Sequence, residues 1–301
     1  MKLDRIAITG GAGWLGGYIA AEVERHASVT LLDLAPDDGR PSLDVLDLDA
    51  VMTALEGHDG IIHLAGIASG VDASAKTFFE VNAQGTWNVL YAAHGAGICR
   101  ADIASSFAAI GIEHDNLAHP PRYLPVDGAH PQSPIGPYGL SKAVNEETAR
   151  SFARRGVTTI ACLRPTLVTL PEEIGTLDNQ AKLNDDDPAG DPNAYPGVLE
   201  WPLPILRSYV TPEDVARGFR LSLEADMAPC EIFNIAAADT IGPARSLAHA
   251  ARIFGTPPEV RKPDRYEQDP GAGLIDIAYA REILGWEPKG RWPDVVARHA
   301  S

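Results

Sequence analysis

The stretch AITGGAGWLGGYIA, at residues 7–20, joins a short apolar run to a helical pattern through a glycine-rich turn. Gly10, Gly13 and Gly16 are spaced three residues apart in this turn. Glycine permits a tight turn and lets the backbone approach a pyrophosphate closely, and the free N–H groups at the start of the next helix favour an anion. The stretch therefore predicts a strand, a turn that binds the diphosphate of a dinucleotide, and a helix.

Apolar runs and helical patterns continue to alternate along the chain. The runs are short, rich in Ile, Val and Leu, and bounded by Gly, Asp or Pro, as expected for buried strands. Such strands, separated by helices, indicate a parallel sheet that is covered on both faces. We expect an α/β fold, a Rossmann-type doubly wound parallel sheet. Its strands are predicted at 5–10, 29–34, 60–66, 101–106, 158–165 and 231–237, and its helices at 14–26, 49–57, 77–96, 138–155 and 211–226.

The character of the chain changes after residue 165. Residues 171–204 contain many prolines, and residues 172–191 contain seven acidic side chains and one lysine, so we expect an irregular, loop-rich stretch. A short amphipathic helix is predicted within 277–289. The predicted organisation is a dinucleotide-binding domain and a smaller, mainly C-terminal substrate-binding lobe. The domain comprises 1–165, to which 209–235 returns, and the lobe comprises 166–208 and 236–301.

Composition excludes several classes of function. The formal net charge of −16 over 301 residues argues against a nucleic-acid partner. The three cysteines are widely spaced, which fits a reducing compartment, and the nine histidines lack the paired spacing of a zinc site, so no metal is expected. No apolar run is long enough to span a bilayer, and the opening MKLDRIAITGG enters a strand pattern directly. We therefore expect a cytoplasmic enzyme with no signal peptide and no membrane partner.

Asp33 ends the second predicted strand, about 20 residues after the glycines. A carboxylate at this place accepts hydrogen bonds from the adenosine ribose and repels a 2′-phosphate, which predicts NAD and disfavours NADP. Arg40 is the one nearby residue that would favour NADP. The alternative for Asp33 is a turn-forming residue at a strand end.

Tyr138 and Lys142 lie four residues apart in SPIGPYGLSKA, at 133–143, and therefore share one face of the predicted helix. The pKa of a free tyrosine is ~10, and a neighbouring ammonium lowers this pKa because it favours the phenolate. The pair is thus suited to carry a proton near neutral pH, although a plain surface contact is the alternative. Ser106, at the end of the fourth predicted strand, is suited to donate a hydrogen bond to the same substrate oxygen.

These motifs resemble those of the extended short-chain dehydrogenase/reductases of the epimerase and dehydratase type. The likeness covers nearly the whole chain. It is carried by TGGAGWLG (9–16), Asp33, DVLD (44–47), IHLAG (62–66), VNAQGTWNVLYAA (81–93), ASSFAAIG (104–111), PYGLSK (137–142), LRP (163–165), YVTPEDVARG (209–218) and LGWEP (284–288).

The resemblance implies a role for each matching residue. Ser106, Tyr138 and Lys142 become the catalytic set. Asp44 and the backbone of Val45 face the adenine, and Asn82 either fixes the backbone of its helix or takes part in catalysis. The implied cofactor-binding set is Gly10, Gly13, Trp14, Leu15, Gly16, Asp33, Asp44, Val45, Ala65, Gly66, Asn82, Tyr138, Lys142 and Pro165.

Departures from the family pattern reduce the number of reactions that this protein could catalyse. Nucleotide-sugar dehydratases of this family resemble one another in carrying an Asp-Glu pair just after the serine, where this sequence has Phe107-Ala108. Reductase-epimerases of the fucose-synthesis type have a cysteine near this position, and this sequence has none there. LRPTLVTLPEE replaces the Tyr-Gly-Pro loop that helps to receive a nucleotide-sugar. Arg207 matches the arginine that holds a nucleotide diphosphate, although Ser208 follows it in place of Asp. Ser106, Phe107 and Arg207 are the candidate substrate contacts.

The sequence also resembles uronate and sugar-acid dehydrogenases of this family in IHLAGIAS and SSFAAIG. We expect an NAD-dependent dehydrogenase or reductase that acts on a secondary alcohol or ketone of a sugar-like or polyhydroxy substrate. A nucleotide-sugar 4-epimerase that retains its NAD, and a non-catalytic regulator that senses the cofactor, remain alternatives. Regulators of this fold typically lose the tyrosine or the lysine. Family dimers form through a four-helix bundle, so we expect a homodimer through helices 77–96 and 138–155.

Overall fold

A parallel sheet forms the centre of the fold in the computed structural model, which describes residues 3–35, 42–112, 119–186 and 203–299. The strands of the described residues are β1 (Arg5–Thr9), β2 (Ser28–Leu32), β3 (Gly60–His63), β4 (Arg100–Ala104), β5 (Tyr123–Leu124), β6 (Thr159–Pro165), β7 (Leu167–Val168), β8 (Tyr209–Val210), β9 (Cys230–Ile235) and β10 (Glu259–Val260). Six of them pair side by side in the order β2-β1-β3-β4-β6-β9, and every pairing is parallel. The sequence-based prediction of a doubly wound parallel sheet is therefore confirmed.

Helices cover both faces of this sheet. They are α1 (Trp14–Val23), α2 (Leu48–Ala54), α3 (Ala75–Phe78), α4 (Gly85–Gly95), α5 (Pro137–Ala153), α6 (Ile174–Asp186), α7 (Pro212–Glu224), α8 (Ser246–Phe254), α9 (Pro263–Gln268), α10 (Ala278–Leu284) and α11 (Trp292–His299). Among these described helices, none has the length and apolar character needed to cross a bilayer.

Alternate strand residues enter two separate cores, because successive side chains of a strand point to opposite faces. Ile6 and Ile8 of β1 pack in one core with Phe219 of α7. Ala7, between them, packs in the other core with Phe152 of α5. Both faces of the sheet are thus buried, which explains why its strands read as nearly continuous apolar runs.

The direction of winding reverses between β1 and β3. β2 pairs with one side of β1 and β3 pairs with the other, so the connections that leave these strands diverge. In open α/β sheets ligands bind in the crevice that such a reversal creates at the carboxyl ends of the strands. The residues that follow β1, β3, β4 and β6 therefore share one functional edge.

The prediction of an irregular stretch at 171–204 is wrong for its first part, which forms α6 after a short turn at Pro171–Glu173. Ile174, Leu177 and Ala181 repeat at helical spacing and are buried in a third core, with Tyr209 and Trp292. Packing against residues that are distant in the chain thus stabilises this helix. Its composition is acidic and polar, so its apolar stripe was not recognised from the sequence. Residues 187–202, including the remainder of the acidic stretch, lie outside the described residues.

Other elements differ from the prediction in extent. The predicted helix 77–96 consists of α3, a π-helical turn at Phe79–Gln84, and α4. The tail helix predicted within 277–289 is α10, which ends at Gly285 in the left-handed conformation, and α11 was not predicted. The division into a dinucleotide-binding domain and a substrate-binding lobe stays a prediction.

Asp102, in the middle of β4, is a carboxyl group fully buried inside the sheet. Burial raises the pKa of Asp102 from its ordinary value to about 7, and the hydrogen bond with Ser222 and the charge of Arg100 only partly oppose this. The hydroxyl of Ser222 also lies 2.9 Å from the Phe219 carbonyl oxygen. Ser222 can donate to that carbonyl when a protonated Asp102 donates to Ser222. The folded protein therefore favours the neutral acid.

We predict that Asp102→Asn stabilises the protein at pH 8. The folded pKa is raised, so the wild type loses stability as the pH rises from about 4 to about 7, with an upper limit of ~4 kcal/mol for a shift of this size. Denaturant unfolding at pH 4 and pH 8 measures the difference, which should be large only at pH 8. Asp226→Asn, at an exposed position, is the matched control. An equal effect of Asp102→Asn at both pH values would contradict the burial of a neutral acid.

Candidate active site

The glycine-rich turn after β1 is shaped by close backbone packing. Gly10 has φ of +72°, and a Cβ atom on it would lie 2.6 Å from the backbone nitrogen of Ala65. A Cβ atom on Gly16 would lie 2.7 Å from the carbonyl oxygen of Gly11, while Gly13 occupies the N-cap position of α1. Trp14 begins α1 with half of its side chain exposed. The turn therefore presents bare backbone and a helix N-terminus at the functional edge, which fits a dinucleotide diphosphate.

Asp33 follows β2 and is bonded to the glycine-rich turn. Its Oδ2 accepts a hydrogen bond of 3.0 Å from the backbone N–H of Ala12. The N–H of Gly11 donates to the carbonyl of Leu32, at 3.2 Å, so two bonds join the turn to the end of β2. The carboxylate lies where an adenosine ribose would meet it in this fold. Arg40, the residue that would favour NADP, lies outside the described residues.

The implied adenine contacts are held by local bonds. Asp44 accepts a hydrogen bond of 2.9 Å from the N–H of Leu46, and the carbonyl of Val45 accepts one of 2.9 Å from Asn88. The Val45 side chain is buried, and a Cβ atom on Gly85 would lie 2.8 Å from its Cγ2. The side chain of Val45 thus belongs to the core, which leaves only its backbone for a ligand.

Asn82 fixes the loop that follows β3. Its Oδ1 accepts from the N–H of Ile67 at 2.7 Å, and its Nδ2 donates to the Ile67 carbonyl at 3.0 Å and to Ser141 Oγ at 3.1 Å. Asn82 lies in the π-helical turn, a local distortion that is frequent at functional sites. A Cβ atom on Gly66 would lie 2.9 Å from the Asn82 oxygen. The side chain of Asn82 is fully engaged, which supports the backbone-fixing role.

His63 is a site residue that the sequence-based interpretation missed. It is buried at the end of β3, where its ring nitrogens bond the hydroxyls of Thr9, at 2.7 Å, and Thr86, at 3.0 Å. Burial, with a smaller effect of the Lys142 charge, lowers the pKa of His63 to about 3. A neutral imidazole therefore connects β1, β3 and α4 at the carboxyl ends of the two strands. The sequence contained one indication of this role, which is that His63 stands at the end of a strand.

Tyr138 and Lys142 lie on the first turns of α5, as predicted. Lys142 is buried, its Nζ lies 5.7 Å from the centroid of the Tyr138 ring, and it donates a hydrogen bond of 2.8 Å to the carbonyl of Ala104. Burial lowers the pKa of Lys142 to about 8. The edge of Phe78 contacts the Tyr138 ring, with centroids 6.2 Å apart. A fixed ammonium thus lies next to a half-buried phenol.

Ser106 and Phe107 follow β4 at the same edge. Ser106 begins a 3-10 turn at Phe107–Ile110, and its Oγ accepts a hydrogen bond of 3.1 Å from the N–H of Ala108. This bond leaves the hydroxyl hydrogen of Ser106 to donate to a ligand. Lys142 bonds the carbonyl of Ala104, two residues earlier, so the structure places α5, which carries the predicted catalytic residues Tyr138 and Lys142, against the segment that leads to the third, Ser106. Leu15 and Phe107 pack partly buried against the core, and Pro165 ends β6 beside β9.

A family model for the NAD dependent epimerase/dehydratase family matches residues 6–236, which include the glycine turn and all three of these residues. The chain belongs to this family. The predicted family, fold and NAD-dependent enzyme class are therefore confirmed.

Relatives of known activity catalyse different reactions. The chain is 29% identical over 232 residues to L-arabinose 1-dehydrogenase (NAD(P)(+)) from Haloferax volcanii, which covers 75% of this chain and 84% of that protein. It is 23% identical over 319 residues to UDP-glucose 4-epimerase from Lactobacillus helveticus, which covers 95% of this chain and 92% of that protein. A short-chain dehydrogenase/reductase superfamily protein from Agrobacterium tumefaciens, solved with bound NAD, shares the fold at a TM-score of 0.71, with 23% identity over 98% of this chain and 96% of that chain.

In this member of the family, Glu146 connects the helix of Tyr138 to the sheet. Glu146 and Arg164 are fully buried, and Arg164 donates through Nε at 2.6 Å and through Nη2 at 2.7 Å. Ser105, adjacent to Ser106, donates to Glu146 at 2.6 Å, and Gln132 donates to it at 2.6 Å. Each carboxylate oxygen therefore has two donors. Glu146 lies four residues after Lys142 on the same helix face, and this spacing was the overlooked signal.

Arg207 lies just before β8. It is buried, and its Nη1 pairs with both carboxylate oxygens of Asp185 from α6, at 2.8 and 3.0 Å. Its φ of +47° is the only positive value of a non-glycine residue among those described. Arg207, which matches a diphosphate-binding arginine of the family, therefore has Asp185 as an acidic partner, and the sequence did not indicate this pair.

We predict that Glu146→Ala destabilises the protein by about 3–5 kcal/mol, because removal of one partner leaves Arg164 as an uncompensated buried charge. Denaturant unfolding measures this loss. Glu147→Ala is the matched control, since Glu147 is exposed and its ion pairs among the described residues are with Arg150 and Arg154 on the surface of α5 and just after it. The control should cost less than about 1 kcal/mol. Equal losses in the two variants would show that Glu146 has no special structural role.

Proposed function

We propose that this protein is an NAD-dependent dehydrogenase or reductase that transfers a hydride between the nicotinamide and a secondary alcohol or ketone carbon of a sugar-like or polyhydroxy substrate. The observation that carries the proposal is the buried Lys142 ammonium, which lies 5.7 Å from the centroid of the Tyr138 ring and bonds the carbonyl of Ala104, two residues before Ser106. NAD, when bound, supplies the acceptor or donor of the hydride. The similarity to L-arabinose 1-dehydrogenase supports a substrate of this class.

In the proposed reaction, the side chains of this protein hold the substrate oxygen in place and transfer its proton. The hydroxyl of Ser106 donates to the substrate oxygen, and the phenol oxygen of Tyr138 takes the proton of the alcohol, or returns it in the reverse direction. With a pKa of about 8, Lys142 carries its charge at neutral pH and favours the phenolate. Phe107 and Ala108 have no acid–base group, so elimination of water has no catalyst there.

The residues proposed to hold NAD follow the strand ends. The glycine-rich turn and the N-terminus of α1 suit the diphosphate, since a Cβ atom at Gly10 would fill the space against Ala65. Asp33 suits the adenosine ribose, and Asp44 with the backbone of Val45 suits the adenine. Ala65, Gly66 and Pro165 complete the proposed set along the exits of β3 and β6.

The alternative is a nucleotide-sugar 4-epimerase that keeps its NAD bound, and the similarity to UDP-glucose 4-epimerase favours it. An epimerase retains the reduced cofactor and returns the hydride to the other face of the same carbon. A dehydrogenase releases the reduced cofactor. The fate of the cofactor therefore separates the two functions.

We predict that the purified wild type releases NADH into solution with an aldose, uronate or polyol, and that Tyr138→Phe loses nearly all turnover, because only the proton carrier is removed. Absorbance of NADH across a substrate panel measures turnover, and calorimetry checks that Tyr138→Phe still binds NAD. Tyr279→Phe, on α10, is the control and should stay active.

Two results would contradict this proposal. Substantial activity of Tyr138→Phe would exclude Tyr138 as the proton carrier. Stoichiometric NAD retained through purification, with 4-epimerisation of a nucleotide-sugar and no net NADH, would favour the epimerase.

We also propose that NAD is preferred over NADP, because the Asp33 carboxylate would repel a 2′-phosphate. Dissociation constants for the two cofactors should differ by about tenfold or more in the wild type and converge in Asp33→Ser. Asp49→Ser, on the surface of α2, is the control for the charge change. Tighter binding of NADP by the wild type would refute the role of Asp33.

We propose that two copies associate through α4 and α5. Trp87 and Tyr91 stack on each other on α4 with centroids 5.0 Å apart, yet 41% and 40% of their surfaces are exposed. Leu140 of α5 is 46% exposed. Chromatography with light scattering should give a dimer mass at micromolar concentration, and Trp87→Glu should give the monomer. A wild-type monomer would exclude this interface.

We propose a cytoplasmic location. Cys99, Cys162 and Cys230 are all free thiols in the described residues, although the side chains of Cys162 and Cys230 contact each other across neighbouring strands. Cell fractionation tests this, and recovery from a secreted fraction would contradict it.

A further inference from the structure

The buried arginine Arg207 is only partly satisfied by its partner. Asp185 binds Nη1 alone, while Nε and Nη2 are buried and have no hydrogen-bond partner among the described residues. Buried guanidinium N–H groups without acceptors are costly. The arrangement therefore leaves donors for a group that a ligand brings.

The chain places Arg207 at the functional edge. Two residues later, Tyr209 of β8 pairs with Leu167 of β7, which directly follows the carboxyl end of β6. The carbonyl of Arg207 accepts a hydrogen bond of 2.9 Å from Ile241, after the end of β9. The unusual φ of +47° is the kind of backbone strain that persists at ligand sites. Arg207 is thus on the side of the sheet where Ser106 follows the neighbouring strand β4.

A second arginine lies close to the first. Arg252, on α8, donates through Nη1 to the carbonyl of Asn184 at 2.7 Å, and its Nε and Nη2 are also buried with no partner in the described part of the chain. Burial lowers the pKa of Arg207, and the charge of Arg252 acts in the same direction while Asp185 opposes it. His249 adds no charge at neutral pH, because burial and the nearby Arg207 lower its pKa to about 3.

The last turn of α6 compensates both arginines. Asp185 contributes a carboxylate to Arg207, and Asn184 contributes a carbonyl at the negative end of the helix to Arg252. Gly242 permits this approach, since a Cβ atom on it would lie 2.6 Å from Ala181 on α6 and 3.3 Å from Arg207 Nη1. One net positive charge remains in the cluster.

We propose that Asp185 determines specificity by reserving Arg207 for a substrate without a phosphate, either a neutral sugar or one with a single carboxylate. The inference rests on the proposed function and deepens it. A nucleotide diphosphate would bring its negative charges against Asp185, within hydrogen-bond distance of the arginine that it needs, and like charges repel strongly in a buried site. The oxygen atoms of a sugar can accept from Nε and Nη2 while Asp185 stays in place.

The test measures binding of UDP to the NAD-loaded protein by calorimetry. We expect wild type to bind UDP no better than millimolar, and Asp185→Asn to bind it at least about tenfold more tightly. Asp186→Asn, an exposed neighbour with the same charge change, should behave like the wild type. Asp185→Asn combined with Arg207→Met should lose the gain, because the binding requires Arg207. Asp185→Ser is the second variant if Asp185→Asn does not fold.

The proposal would be overturned if the wild type bound UDP as tightly as Asp185→Asn does. It would also be overturned if Asp185→Asn folded but bound UDP no more tightly than the wild type. If neither variant folds, wild-type affinity decides, and submillimolar binding of UDP overturns it. The readout is independent of turnover. A gain of UDP binding in Asp185→Asn, in a protein that never releases NADH from a free sugar, would refute the dehydrogenase and leave the assignment of Asp185 standing.

Discussion

The buried ion pair between Glu146 and Arg164 is the interaction on which the arrangement of the site depends. A buried carboxylate is tolerated only when its lone pairs are satisfied, and each oxygen of Glu146 accepts two hydrogen bonds. These bonds come from β6, from the end of β4 and from the loop before α5. The requirement to satisfy one charge therefore fixes three segments relative to one another.

This constraint also fixes the helix that carries two of the proposed catalytic residues. α5 carries Tyr138 and Lys142, and Glu146 anchors that helix one turn further along. Ser105, which bonds Glu146, is adjacent to Ser106, and Lys142 bonds the carbonyl of Ala104 in the same segment. Two bonds thus hold α5 against the segment 104–106, and the proposed roles of Tyr138, Lys142 and Ser106 depend on this fixed geometry.

The second buried pair, Arg207 with Asp185, differs in its hydrogen bonds. Arg164 uses both Nε and Nη2 on its carboxylate, whereas Arg207 uses only Nη1. A complete pair holds a structure together, and an incomplete pair keeps donors that a ligand can use. The same residue types therefore form a fully bonded pair in one place and, among the described residues, a partly bonded pair in the other.

The sheet, the glycine-rich turn and the Tyr138–Lys142 pair could be predicted from the amino-acid sequence because they follow from local features. These features are the repeat of two residues in a strand, the repeat of about 3.6 residues in a helix, and the conformational freedom of Gly10. The tertiary structure was needed to identify α6 as a helix, since its apolar stripe gains stability from Tyr209 and Trp292, which are distant in the chain. It also decided the partners of Glu146 and Arg207, which lie 18 and 22 residues away. No local periodicity links such residues. Their pairing follows from the need to neutralise buried charges once the chain has folded.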